Sequence, residues 1–150
     1  MTSQSPGPSL SLSLSRVITV EPEQVFKAFT DPEWYSAWWG PPGTRSEVRE
    51  LDLRVGGAYR IDMHLPDGTL AVLYGRYRQV RPPALLSYTW AWEGEGVETL
   101  VTLEIEPHPA GTELTVTHEG FTDQPQRDMH EQGWSGSLDR LSAFAFMDER

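Results

Sequence analysis

Two of the four histidines sit where they could meet. His118 shares an alternating face with Leu114 and Val116, and His130 stands one helical turn before Trp134 in a segment of helical periodicity. An imidazole titrates near neutrality, so this pair could anchor a ligand or move a proton. It could equally be a hydrogen-bonded link that fixes a helix to the last strand. A metal site would need a third ligand. Glu119 and Glu131 are near in sequence but on faces expected to point outward, so neither a metal nor a cofactor is expected. His64 and His108 read as surface or turn residues. The chain has no cysteine, which excludes disulfides, thiolate nucleophiles and Cys-ligated zinc or iron–sulfur centres. No Gly-x-Ser-x-Gly elbow supports a serine nucleophile. Gly56–Gly57 precedes neither a Lys-Ser/Thr pair nor a helix, so it reads as a turn with positive φ and not as a phosphate loop. Asp52 and Asp62, with Arg54 and Arg60 nearby, read as solvated cross-strand pairs. No catalytic residue is assigned.

The stronger chemical signal is aromatic: six Trp, five Tyr and five Phe in 150 residues. Alternation sorts them by face. Leu86, Tyr88, Trp90 and Trp92 share one side of a strand; Tyr59, Ile61 and Met63 share one side of another; Trp134 comes from the helix. Flat rings do not interdigitate as closely as Leu and Val, so an apolar cavity with a few polar tips is one expected result. The other is an ordinary aromatic core. On the first reading Trp39, Tyr59, Met63, Tyr74, Tyr88, Trp90, His118, His130 and Trp134 line a site for a small apolar or aromatic molecule, although the strand face of Tyr74 is ambiguous. Gly133, inside the helix beside Trp134, fits the same idea. A mid-helix glycine costs about 1 kcal/mol relative to alanine, and close approach of a ligand or side chain is one reason to keep it.

These side chains must be held by the elements around them. Residues 1–9 read as a loose tail and residues 10–150 as one domain. Leu10, Leu12 and Leu14 alternate with serines and the run continues through Val17, Ile18 and Val20, which predicts a half-buried strand. Pro22 opens a short helix with Val25, Phe26 and Phe29; Asp31 caps a second, with Pro32 at its first position and Trp34, Tyr35 and Trp38 following. Gly40–Pro41–Pro42–Gly43 stops it, and with Trp38–Trp39 forms either the rim of a cavity or a hydrophobic plug. Six strands follow, at about 46–55, 58–65, 70–80, 85–93, 97–106 and 112–118, with connections short enough to force antiparallel neighbours. Asp123 and Gln126 suggest a capping box for a last helix, whose Trp134, Leu138, Leu141 and Ala145, with Phe144 alongside, recur on one face. The sum is an α+β roll: a curved seven-stranded antiparallel sheet around a long C-terminal helix, with two short helices between the first two strands.

Composition removes whole classes. Twelve basic and 22 acidic residues give a net charge of −10. That argues against nucleic acid, which needs a cationic face, and against anionic membrane surfaces. No apolar run approaches the roughly 20 residues of a membrane span, and the start of the chain lacks the pattern of a secretory leader. A cytoplasmic setting is the expectation. Open sheet edges make self-association as a homodimer plausible.

Eight short motifs occur in order: Pro-Glu-Trp (32–34), Trp-Trp-Gly-Pro (38–41), Gly-Gly-x-Tyr (56–59), Pro-Asp-Gly (66–68), Leu-x-Tyr-Thr-Trp (86–90), Gly-Thr-Glu-Leu-Thr (111–115), His-Glu-Gly-Phe (118–121) and His-x-x-Gly-Trp (130–134). Together, over Leu10 to Phe146, they resemble the START-like (birch-pollen-allergen-like, SRPBCC) superfamily, in the branch related to the activator of heat-shock-protein-90 ATPase. The resemblance implies a helix-grip fold with a cavity between sheet and helix. For function it implies one of several roles: carriage of a hydrophobic ligand, assistance to a chaperone as a protein partner, or cyclase-like chemistry through His118 or His130.

Overall fold

The computed structural model describes residues 10–144. The tail expected at 1–9, and Ala145 and Phe146 at the far end, lie outside the described residues. The elements are β1 (Leu10–Ile18), α1 (Pro22–Thr30), α2 (Pro32–Trp38), β2 (Arg45–Leu51), β3 (Ala58–His64), β4 (Leu70–Arg81), β5 (Leu85–Trp92), β6 (Glu98–His108), β7 (Gly111–Phe121) and α3 (Gln124–Ala143). The seven strands form one antiparallel sheet in the order β1-β7-β6-β5-β4-β3-β2. This is the α+β helix-grip arrangement the sequence predicts, curved and open, with two short helices between β1 and β2.

Several boundaries differ from the sequence reading for local reasons. β2 stops at Leu51, because residues 52–57 fold into a tight turn in which Gly57 N–H donates to the Arg54 carbonyl. Asp52 and Arg54 pair within this turn at 2.8 Å, not across strands, whereas Asp62 does pair across strands, with Arg49 at 3.0 Å. Gly56 has the expected positive φ, 86°. β1 ends at Ile18, and Val17 faces out, 44% exposed. Strict alternation from Leu12 and Leu14 turns Arg16 inward instead, where it donates to Ser135 Oγ on α3 at 3.2 Å. β7 runs on to Phe121, which pairs with Leu10.

The β4–β5 ladder is interrupted at Gly75. A Cβ there would stand 2.0 Å from the Thr89 carbonyl oxygen, so no larger residue fits without moving backbone. Arg76 N–H donates to Thr89 Oγ1, and the Thr89 carbonyl accepts from the Tyr59 hydroxyl at 2.6 Å. The backbone groups released by the irregularity are thus satisfied by side chains.

α3 is fastened along its length. Asp123 caps it by accepting from Gln126 N–H at 2.8 Å. Arg127 Nε donates to the Ser11 carbonyl on β1. At the other end Arg140 reaches the carbonyls of Trp39, Gly40, Pro41 and Thr44, at 3.1–3.2 Å. Gly136 lets α3 approach this loop: a Cβ there would lie 2.9 Å from Pro42 Cδ. Trp134, Leu138 and Leu141 are the helix's buried apolar stripe. They join a continuous core with Leu12, Val25, Phe29, Ile61, Leu103 and Val116.

Candidate functional site

Between α3 and the strands β3–β5 the core is not closed. A half-open cleft of about 640 Å³ remains, within the size range of small-molecule sites. Its floor is built from Trp39 and Pro41 of the α2–β2 loop, Met63 of β3 and Trp90 and Trp92 of β5. α3 supplies the opposite wall through Met129, His130, Gly133 and Trp134, with Ser137 deeper along the helix. Exposed Leu70 and Met129, and the carboxylates of Glu93 and Glu95, stand around it.

The rings behind this surface are close-packed. Trp134 lies 5.2 Å from Trp39 edge-to-face and 5.5 Å from Trp90; Trp90 lies 5.5 Å from Trp92 and 4.7 Å from His118. Such separations are those of favourable aromatic pairs. The walls are therefore rigid aromatic packing, and the free space lies beside it. Trp39 and Trp90, both buried, carry indole N–H groups without a partner among the described residues.

The two histidines meet as the spacing suggests, with ring centroids 5.4 Å apart, but each is already committed. Trp134 Nε1–H donates to His118 Nδ1 at 3.0 Å, so the His118 proton must be on Nε2, 2.7 Å from Thr99 Oγ1. Thr99 in turn donates to the Trp90 carbonyl. His130 accepts from Trp92 Nε1–H at 3.1 Å through Nε2, which leaves Nδ1–H for the Gln126 carbonyl at 2.8 Å. Each tautomer follows from the indole, which can only donate. Neither ring keeps a free lone pair for a substrate proton, so the pair links helix to sheet through two tryptophans.

Burial, and then the nearby His130, push His118 down from its ordinary 6.5 to about 2. The folded protein thus keeps His118 neutral in mild acid, while the unfolded chain takes up a proton below about pH 6.5. More protons bound by the unfolded state means stability falls as pH falls through that window. A single group of this kind contributes a limiting slope of about 1.4 kcal/mol per pH unit. Urea denaturation between about pH 6 and 4.5 should show a dependence that is shallower by about one proton in His118→Gln. Equal slopes would refute the buried neutral imidazole.

Of the residues the sequence nominates, Trp39, Met63, Trp90, His130 and Trp134 line the cleft. His118 lies behind them, fully buried. Tyr59 and Tyr88 pack away from it in a separate cluster with Tyr77, with ring centroids 5.3–6.0 Å apart. Burial first, and then neighbouring ionisable side chains, raise the hydroxyl pKa of both Tyr59 and Tyr88 well above 10. Tyr74 stands on the outer face of β4, 41% exposed. That placement resolves its ambiguity: Leu73, Gly75 and Tyr77 turn inward, so Tyr74 and Arg76 turn outward. The loop after α2 is part of the wall through Trp39 and Pro41, while Trp38 is plain core, its indole donating to the Ala28 carbonyl. At Gly133 no atom outside the helix's own neighbouring backbone lies within 4 Å of an added Cβ, so open space, and not a side chain, faces it.

Sequence reasoning does not find Leu65, Thr69, Ala71, Val72, Gln126, Met129 or Ser137 at the cleft. Pro66–Asp67–Gly68 marks the turn whose flanks carry Leu65 and Thr69, but nothing in it says that the turn leans toward α3. Among the described residues no three His, Cys, Asp or Glu side chains converge as a metal site would require. Nor is any described helix long and apolar enough to cross a membrane.

Comparison with known proteins gives a consistent result. The family model described as Activator of Hsp90 ATPase homolog 1-like protein matches residues 19–145. A solved structure from Chromobacterium violaceum is 31% identical, covers 92% of this chain and 98% of its own, and superposes with a TM-score of 0.84. A Silicibacter pomeroyi protein named AHSA1 is 30% identical over 89% of this chain and 96% of its own, with a TM-score of 0.79. A Nitrosomonas europaea protein is 25% identical over 90% and 93%, with a TM-score of 0.76. No curated protein matches.

Proposed function

We propose that this chain, which belongs to the Activator of Hsp90 ATPase homolog 1-like protein family, is a small-molecule binding protein that holds an apolar or aromatic ligand between α3 and β3–β5. The observation that carries this reading is the 640 Å³ cleft with four tryptophans in its walls and a glycine in the helix that borders it. Burial of apolar ligand surface against these rings would supply affinity at roughly 25 cal/mol per Å², less the cost of immobilisation. The N–H groups of Trp39 and Trp90, which find no partner among the described residues, offer a ligand oxygen two donors.

The chaperone reading rests on the family description. The large apolar residues exposed on the described surface are Val17, Leu53, Val55, Leu70, Tyr74, Val97 and Met129, and two of these, Leu70 and Met129, belong to the cleft. The cyclase reading needs a free imidazole, and both imidazoles are engaged by indoles.

Gly133 supplies the test. Gly133→Ala should raise stability by about 1 kcal/mol, the ordinary helix-propensity gain, because its methyl meets open space. Gly133→Leu should keep the fold yet fill the cleft. Titration with the neutral dye N-phenyl-1-naphthylamine should show binding to the wild type and its loss in Gly133→Leu. Equal binding by the two proteins would refute this location.

A further inference from the structure

The charges around the cleft are of one sign. Among the described residues that line it, the only formally charged ones are Glu93 and Glu95. Glu93 is partly neutralised by Arg60 at 3.1 Å, whereas Glu95 makes no ion pair among the described residues. His130 spends both ring nitrogens on protein partners, Nε2 on the Trp92 indole N–H and Nδ1 on the Gln126 carbonyl. Among the described residues no lysine or arginine lines the space. The remaining polar side chains, Thr69, Gln126 and Ser137, are neutral.

We infer that the cleft selects a hydrophobic amine: a flat or aliphatic apolar body with a cationic head placed at the Glu95 lip, and that it discriminates against carboxylates of the same shape. This rests on the cleft being a ligand site, as proposed above. Three physical arguments lead to it. A carboxylate carried into the cleft would be desolvated without a counter-charge, which apolar surroundings penalise. It would also approach Glu95 and Glu93, and a net charge of −10 over the whole chain adds repulsion at long range. A cation meets the opposite situation: an unpaired carboxylate at the lip and the faces of Trp90 and Trp92, whose quadrupoles attract positive charge. The indole donors of Trp39 and Trp90 do not reverse this, since a neutral carbonyl or ether oxygen in the ligand body can use them without bringing in charge.

The test uses three probes of one shape: 1-naphthylmethylamine, 1-naphthylmethanol and 1-naphthylacetate, each competing with N-phenyl-1-naphthylamine at neutral pH and physiological salt. The amine should displace the dye about fivefold or more better than the carboxylate, with the alcohol between them. Glu95→Gln should shrink that gap. Glu104→Gln, which makes the same change of net charge on the exposed face of β6, should leave it intact. A carboxylate that competes as well as the amine, beside an alcohol that competes, overturns the charge selection and leaves the cleft as the site. A gap that Glu95→Gln leaves unchanged overturns the assignment to that lip. If the dye binds the wild type no better than Gly133→Leu, and no probe displaces it, both this inference and the reading beneath it fail.

Discussion

Arg140→Ala is expected to lower unfolding free energy by about 3 kcal/mol or more, although Arg140 neither lines the cleft nor belongs to the apolar stripe of its helix. The guanidinium lies against the carbonyls of Trp39, the C-cap of α2, and of Gly40, Pro41 and Thr44 in the loop that follows. Carbonyls at a helix C-terminus have no intrahelical donor and carry negative partial charge, so a cation with several N–H groups suits them. Burial lowers the Arg140 pKa, but a guanidinium remains charged. Removing it takes this donor from the Gly40 and Thr44 carbonyls, while Trp39 keeps Ser46 Oγ and Pro41 keeps Thr44 N–H, and hydrogen bonds to charged groups contribute about 1.5–3 kcal/mol each. Arg140→Lys should recover only part of the loss, because a compact ammonium cannot reproduce the planar fork. Urea denaturation of the three proteins checks this. A loss below about 0.5 kcal/mol in Arg140→Ala, the range of an ordinary surface substitution, would contradict it. Because Trp39 and Pro41 belong to the same loop, Arg140→Ala should also weaken dye binding.

Trp134→Ala carries the second large effect. The ring is 2% exposed and packs against Trp39 and Trp90, and its N–H is the donor to His118. Truncating a buried tryptophan costs about 3–5 kcal/mol. The deletion also strips the buried His118 Nδ1 of its partner, which adds to the cost. Trp134→Phe should keep most of the packing and lose only the hydrogen bond, at about 1–2 kcal/mol. Comparing the two by chemical denaturation separates packing from polarity. A loss under about 1 kcal/mol for Trp134→Ala would mean that the ring is a mere pocket wall and not part of the aromatic packing.

The architecture was legible because its signals are local and repeated. Alternating Leu and Ser set β1, Pro-Asp-Gly and Gly-Gly set turns, and Asp31 and Asp123 cap α2 and α3 as their positions predict. What the pattern misreads involves side chains acting at a distance. Val17 is apolar and faces out, while Arg16 is charged and turns in, because the strand's period outranks the hydrophobicity of one residue. Arg140 and Arg127 look like solvated helix residues until the loop and strand they reach are known.

The candidate site was legible in part, for a related reason. Alternation brings Tyr59 and Tyr88 to the same inner face as Trp90 and Met63, but it does not say where along that face the helix lies. α3 covers the sheet so that the tyrosines pack among themselves and the tryptophans border open space. Tyr74 points outward because Leu73, Gly75 and Tyr77 hold the inner face of β4, and the register shift of that strand comes only after Tyr77. His118 and His130 were rightly brought together, yet their partners, the indoles of Trp134 and Trp92, follow only from the fold.

The most direct measurement is a crystal structure of the wild-type protein soaked with 1-naphthylmethanol. The account predicts density for the naphthyl ring between Trp90 and the open face of Gly133, with Trp39 and Trp134 unmoved behind it. A probe found only elsewhere on the molecule, with the space between α3 and β5 holding water alone, would contradict it.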